Sequence, residues 1–273
     1  MPPIQRIQRS AVRALYAEVA LEPKPGLVSF RDNGSHSDMQ AATFVQSLFA
    51  LRHYFGHMAQ AGAARLPFAA LQTLGLAAEQ RMLRATGGIN THRGAVYALG
   101  LLCAAAGAAS GVAAAQVRQS LLTHWGAAMR LRAEAAARAP ALSHGQRAVA
   151  AYGLRSAGAE AALGFPTLFE VTLPALQAAL RAGHAPRAAR VQALFATMAV
   201  LDDTNLAHRG GMAGVLFVKA AARGFLEAGG VAQADWLQQA RRFHADCVQQ
   251  RLSPGGAADV LACACWLQEL AAA

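Results

Sequence analysis

Apolar residues return every three to four positions along almost the whole chain, a period that predicts helix after helix and no half-buried strand. Val12, Leu15, Tyr16 and Val19 fall on one face of a first amphipathic helix. Pro23, Pro25 and Gly26 end it, because proline has no N–H to donate and glycine loses the most backbone freedom in a helix. A polar loop follows to about Ser37, which is placed to cap a helix running through Asp38 to about Ala61. The pattern continues with a helix from Phe68 to Ala85, stopped by Gly87 and Gly88, and another that opens near Thr91 or His92. Further helices are predicted near 113–137, 145–163, 167–182, 187–201, 208–227, 233–251 and 254–270, the last with Ser253 as its cap and Pro254 in its first position. The expected architecture is all-α, a single multi-helix globular domain over residues 1–273 with its polar chemistry at helix ends and loops.

Composition narrows this picture. Hydrophobic residues make up 55% of the chain and charged residues only 15%, with alanine supplying much of the apolar content, so the helices must pack closely. Gly94 to Val117 carries no charge, but Gly107, Ser110 and Gly111 interrupt it and most of it is alanine. It reads as a buried helix and a turn, not a membrane span. The first residues, Met1 to Arg6, lack the apolar core of a signal peptide. Cys103, Cys247, Cys263 and Cys265 lie in apolar runs and form no C-x-x-C pair, which suits reduced thiols and a cytoplasmic location. The formal charge of +10 comes from arginines scattered over many helices, among them Arg81, Arg84, Arg118, Arg130, Arg132 and Arg138. Without a cationic block or interleaved aromatic residues, a nucleic-acid partner is not expected.

The residues able to do chemistry gather in five places. Lys24 stands between two prolines and beside Gly26, so a turn would hold its ammonium for a phosphate; an ordinary helix stop explains the same residues. Asn33 to Met39 packs a turn, His36 and Asp38 before an apolar helix, and Asp38 reads as a base, a metal ligand or a first-turn acid favoured by the helix dipole. Asn90-Thr91-His92-Arg93-Gly94 opens the most apolar helix, where free N–H groups and polar side chains suit an anion. Asp202 and Asp203 begin a stretch that continues through Asn205, Arg209, Gly210 and Gly211; paired carboxylates suit Mg²⁺, and the rest a phosphate. Asn90 to Gly94 and Asn205 to Gly210 share an Asn…His-Arg-Gly theme, which reads as two helix starts that each receive an anion. The fifth group is Glu160, unusual in an alanine-rich helix, with Ser253 to Gly256 and Asp259, for which a dipole role would suffice.

Lys24-Pro25-Gly26-Leu27-Val28, Gly34 to Met39, Asn90 to Gly94, Asp203-Thr204-Asn205 with Arg209-Gly210-Gly211, and Ser253 to Asp259 together resemble the triphosphoribosyl-dephospho-coenzyme A synthase family. The resemblance spans almost the whole chain and implies transfer of the triphosphoribosyl group of ATP to the 2′-hydroxyl of 3′-dephospho-CoA, with adenine leaving. It further implies a product passed to an acyl-carrier-protein prosthetic-group transferase. Ser29, where the citrate-lyase branch is associated with Asp, and Arg93, where Lys is common, tilt the reading toward malonate decarboxylase. Displacement at an anomeric carbon passes through an oxocarbenium-like state. Such a site must hold a triphosphate, activate a hydroxyl and release a purine.

On this reading Asp38, Glu160 and Asp203 are the candidate catalytic carboxylates, and Asp38, Asp202 and Asp203 the candidate Mg²⁺ ligands. Lys24, Gly26, His36, Asn90, Thr91, His92, Arg93, Asn205, Arg209, Gly210 and Gly211 are the candidate substrate contacts. Two other functions use the same residues: a helical Mg²⁺-dependent nucleotide or ADP-ribose hydrolase, and a non-catalytic accessory to the carrier protein. A homodimer is compatible with either an enzyme or an accessory.

Overall fold

The computed structural model describes residues 3–138 and 144–272, and it is helical throughout with no strand among them. Thirteen α-helices follow in order: α1 (Ile4–Val19), α2 (Ala41–Leu51), α3 (Tyr54–Ala63), α4 (Phe68–Ala85), α5 (Arg93–Ala108), α6 (Ala114–Arg138), α7 (His144–Tyr152), α8 (Ala157–Ala162), α9 (Leu173–Arg181), α10 (Pro186–Val200), α11 (Thr204–Glu227), α12 (Trp236–Gln249) and α13 (Gly255–Ala272). A π-helical turn, Thr167–Thr172, leads into α9.

The most apolar segments form the inside. Nearly every residue of α5 from Ala95 to Ala108 is buried, and so is most of α13 from Ala257 to Leu267 and of α10 from Ala188 to Ala199. Helix α13 packs against both α5 and α10, and the remaining helices wrap these three. Small residues set the spacing. A Cβ on Gly62 would overlap the carbonyl oxygen of Ala104, and one on Gly107 would overlap that of Ala59, so α3 and α5 meet backbone to backbone. This close approach accounts for the alanine-rich, charge-free stretch. No helix among the described residues is long and apolar enough to cross a membrane. The four cysteines are buried free thiols.

Three boundaries differ from expectation. The helix expected from Asp38 to Ala61 is two helices, broken at Arg52 and His53, and it starts at Ala41, where Thr43 Oγ1 accepts the Gln40 N–H. Asp38 and Ser37 therefore lie outside it. The helix expected over 145–163 breaks at Gly153, whose φ is +64°, and resumes after Ser156, which caps it through the Ala159 N–H. Helix α11 begins at Thr204, and Gly211 (φ 60°, ψ −163°) interrupts it in a backbone conformation that only glycine adopts readily.

Candidate functional site

The N-terminal ends of α5, α11 and α13 meet, and two aspartates join them. Asp203 caps α11: its Oδ1 accepts the N–H groups of Asn205 (2.9 Å) and Leu206 (3.4 Å). Its Oδ2 accepts the Ala257 N–H at 3.1 Å, so the same carboxylate caps the first turn of α13. The side chain is 3% exposed. Burial pushes its pKa up, while the backbone N–H groups of Ala257, Asn205, Leu206 and Gly256 pull it back. Asp259, one turn into α13, takes the Ala95 N–H of α5. Its carboxyl points Oδ2 at Gly94, where a Cβ would overlap Oδ2 and stand 2.7 Å from Cγ. The surrounding protein, with Glu18 and Asp203 as like charges, raises its pKa well above the ordinary carboxylate range. Asp259 nevertheless keeps part of its surface accessible.

Beneath these ends lies a buried ion pair. Lys24 Nζ donates to Glu18 Oε1 at 2.6 Å, and the two residues are 2% and 5% exposed. Burial lowers the lysine's pKa and Glu18 opposes that shift. His92, 2% exposed, precedes α5; its Nδ1 pairs with Ser47 Oγ at 2.7 Å and the Phe44 ring meets it edge-on. Burial and the nearby Lys24 push His92 down to about 3, so the imidazole is neutral. On the other side, Arg209 donates to the carbonyl oxygens of Ser35 (3.0 Å) and Arg251 (3.3 Å) and to His36 Nδ1 (3.0 Å). A guanidinium only donates, so His36 Nδ1 accepts and its Nε2–H donates to Ser253 Oγ at 2.9 Å. Burial and Arg209 lower the His36 pKa against Asp38, whose Oδ1 lies 3.6 Å from Nδ1. The motif loops thus lock together: Gly26 lies against the Leu252 carbonyl, Ser35 N–H donates to Gly26 O, and Ser35 Oγ donates to Leu252 O at 2.6 Å. A cleft of about 180 Å³ opens beside Lys24, lined also by Arg31, Arg241 and His244. Its polar side chains are matched internally, Arg31 and Arg241 by Glu22, while the His244 ring lies 3.2 Å from Asp32.

The residues drawn together here are those of the motifs that carry the family resemblance, and residues 4–273 match the CitG family model, described as ATP:dephospho-CoA triphosphoribosyl transferase. The chain belongs to that family. A Stutzerimonas stutzeri protein named "Probable 2-(5''-triphosphoribosyl)-3'-dephosphocoenzyme-A synthase" is 42% identical over 97% of this chain and 92% of its own length. The Pectobacterium atrosepticum 2-(5''-triphosphoribosyl)-3'-dephosphocoenzyme-A synthase is 39% identical over 94% of this chain and 86% of its own. The Klebsiella pneumoniae protein of the same name is 38% identical, over 94% and 88%. No solved structure matches the chain.

In this transferase-family chain the candidate residues fall into distinct places. Lys24, Gly26, His36, Asn90, Thr91, His92, Asp203, Asn205, Arg209 and Gly210 belong to the interlocked helix ends and loops. Several have architectural tasks there: Gly26 and Gly210 let Leu252 approach, and Asn90 Oδ1 accepts the Arg93 N–H. Arg93 itself is half exposed and paired with Glu79 of α4. The shared Asn…His-Arg-Gly theme divides: Arg93 opens α5, whereas Arg209 lies inside α11, just before the break at Gly211. The carboxylates of Asp202 and Asp203 do not converge on one point but take separate partners. Asp203 spends both oxygens on helix N–H groups, and Asp202 is held by Lys219 Nζ at 2.7 Å and the Arg155 N–H at 3.1 Å. Asp38 is exposed, and no group of three or more His, Cys, Asp or Glu among the described residues is arranged for a metal. Glu160 stands apart, its Oε1 accepting the Thr167 N–H and its Oε2 paired with Arg155, which fixes the turn after α8. Ser253 does not cap α13; its hydroxyl holds His36, and the cap comes from Asp203 across the fold.

Sequence reasoning passed over Glu18 and gave Asp259 only a dipole role. Glu18 follows Ala11, Ala14 and Leu15 on the buried stripe of α1, a visible signal for a charge that needs a partner. The partner, Lys24, lies beyond a helix break, so spacing alone does not connect them.

Proposed function

We propose that this chain moves the triphosphoribosyl group of ATP onto the 2′-hydroxyl of 3′-dephospho-CoA, in the cytoplasm, to supply the carrier protein of a malonate decarboxylase. The observation that carries this reading is the meeting of three helix N-termini over Lys24, His92 and Asp259, in a chain of this transferase family. Helix N-termini and buried cations favour polyanions. In the reaction the bond from ATP C1′ to adenine N9 breaks and a bond from C1′ to the acceptor O2′ forms. The hydroxyl loses its proton and adenine leaves carrying one.

Of the carboxylates, Asp259 has the chemistry of the base. Asp203 has both oxygens committed to helix N–H groups, and Glu160 is committed elsewhere. Asp259 accepts a backbone N–H from Ala95, is raised in pKa and stays partly accessible. A raised carboxyl is a stronger base once ionised. Among the described residues no three or more His, Cys, Asp or Glu are arranged for a metal, so magnesium enters this reading with ATP as MgATP, and Asp38 is an exposed carboxylate that could meet it. Ser29 and Arg93 are the residues that favour the malonate branch.

Mass spectrometry of ATP and 3′-dephospho-CoA incubated with the protein tests the reading. The expected result is adenine release that requires 3′-dephospho-CoA, together with a condensed product. Adenine or ribose phosphate release without the acceptor would instead support a hydrolase. No binding and no turnover would support an accessory role.

A further inference from the structure

Two side-chain atoms at the start of α5 are fully buried and have no partner among the described residues: His92 Nε2 and Thr91 Oγ1. A buried donor or acceptor without a partner costs about 1–3 kcal/mol, which native folds rarely leave unmet without reason. The state of the His92 ring follows from its other nitrogen. Ser47 Oγ–H is fully buried in α2 and has one hydrogen-bond partner, His92 Nδ1 at 2.7 Å. If Nδ1 carried the ring proton, the buried Ser47 O–H would have no acceptor among the described residues; with Ser47 donating to Nδ1 that proton is met, and the ring proton then sits on Nε2. Phe44 packs edge-on against the same ring and fixes its plane. The unpartnered atom is therefore an oriented N–H donor, at a helix N-terminus and within the field of the Lys24 ammonium.

We propose that Ser47 and His92 act as one unit, in which Ser47 sets the imidazole tautomer and His92 Nε2–H binds a phosphoryl oxygen of a substrate. The inference deepens the triphosphoribosyl-transfer reading and rests on it. The neighbouring cation, the helix end and the donor-only nitrogen all select an anionic oxygen over a hydroxyl or an amine. Both substrates carry phosphoryl groups, in the triphosphate of ATP and the pyrophosphate of 3′-dephospho-CoA. A neutral donor keeps its proton while it binds, so His92 positions the substrate and Asp259 is left to handle the proton. Ser47 touches no substrate; it is a positioning residue.

Long-range ¹H–¹⁵N spectra of the ¹⁵N-histidine-labelled protein test this, with His92→Gln assigning the resonance. The expected free protein shows His92 as the Nε2–H tautomer. Adding inorganic triphosphate, ATP or 3′-dephospho-CoA separately should shift that nitrogen with the one substrate that reaches it, and inorganic triphosphate should act only if the source is ATP. Ser47→Ala should weaken binding of that same substrate by roughly tenfold, about one hydrogen bond's contribution, and raise its KM more than it lowers kcat. Ser47→Thr, which keeps the hydroxyl, should restore binding. An Nδ1–H tautomer, or an Nε2 resonance unmoved by all three ligands, would overturn the proposal. If condensation still proceeds while that nitrogen stays unmoved, the transferase reading stands without it. If triphosphate shifts His92 but no condensation occurs, the anion site stands and the transferase reading falls.

Discussion

Gly94→Ala tests whether Asp259 is held against the start of α5 as tightly as the geometry requires. In isolation the change should help a helix, since alanine exceeds glycine by up to about 1 kcal/mol, and by less in a first turn. Here the three atoms nearest the new Cβ all belong to the Asp259 carboxyl. That carboxyl cannot yield freely, because it accepts the Ala95 N–H and is ringed by protein. Overpacking costs about 1–3 kcal/mol, and pushing the carboxyl off its N–H leaves a buried donor unmet for about 1–3 kcal/mol more. These terms exceed the helix gain, so Gly94→Ala should destabilise the protein by about 1–6 kcal/mol. Asp259→Ala deletes both clashing atoms, Oδ2 and Cγ. In that background Gly94→Ala should change stability by no more than about 0.5 kcal/mol, so nearly the whole cost in the parent protein is coupling to Asp259. Urea unfolding of the four proteins, followed by circular dichroism, measures the cycle. Equal costs of Gly94→Ala in both backgrounds would show that Asp259 does not rest on Gly94, and the link between α5 and α13 would have to be drawn differently.

Asp203→Asn should destabilise the fold by about 1–3 kcal/mol, because an amide accepts through one atom only while both Asp203 oxygens receive helix N–H groups; unchanged urea midpoints would refute the double cap. Lys24→Met should cost about 3–5 kcal/mol by leaving Glu18 buried and unpaired, and adding Glu18→Leu should recover most of it in the same unfolding assay; a double variant no more stable than the single would argue against the pair. The pH dependence of Asp259 has a definite sign. A carboxyl whose folded pKa is raised releases its proton later in the folded than in the unfolded state, so it costs stability as pH climbs from the ordinary carboxylate range to the raised value. Asp259→Asn should therefore gain stability relative to the parent protein across that window, and parallel stability–pH curves would count against the raised pKa. If Asp259 is the base, the same variant should lose most of its kcat at every pH while still binding ATP, as measured by calorimetry.

The helical period of the chain determined most of the fold, because a helix needs only local hydrogen bonds and an apolar stripe, and both are written in consecutive residues. That is why α4, α5 and α10 lie close to where the pattern places them, and why the alanine-rich composition signalled close packing, whereas Gly107, which read as an interruption, lies inside α5 and lets α3 approach. The motif loops were also legible as the places where polar and charged side chains gather, since His, Arg and Asp beside apolar runs need a local reason. Their partners were not legible. Asp202 and Asp203 are neighbours in sequence and look like one metal site. The backbone turn sends one to Lys219 and the other to the ends of two helices, and only the fold brings Ala257 within 3.1 Å of Asp203. Glu160 carried the same signal of a charge in an alanine-rich segment, yet its carboxylate serves a turn seven residues away. Asp259 looked like a residue answering its own helix dipole until α5 was seen lying across it. Tertiary structure decided these cases because a buried carboxylate must spend its oxygens on whatever donors packing brings near, and sequence spacing does not carry that information across separate helices.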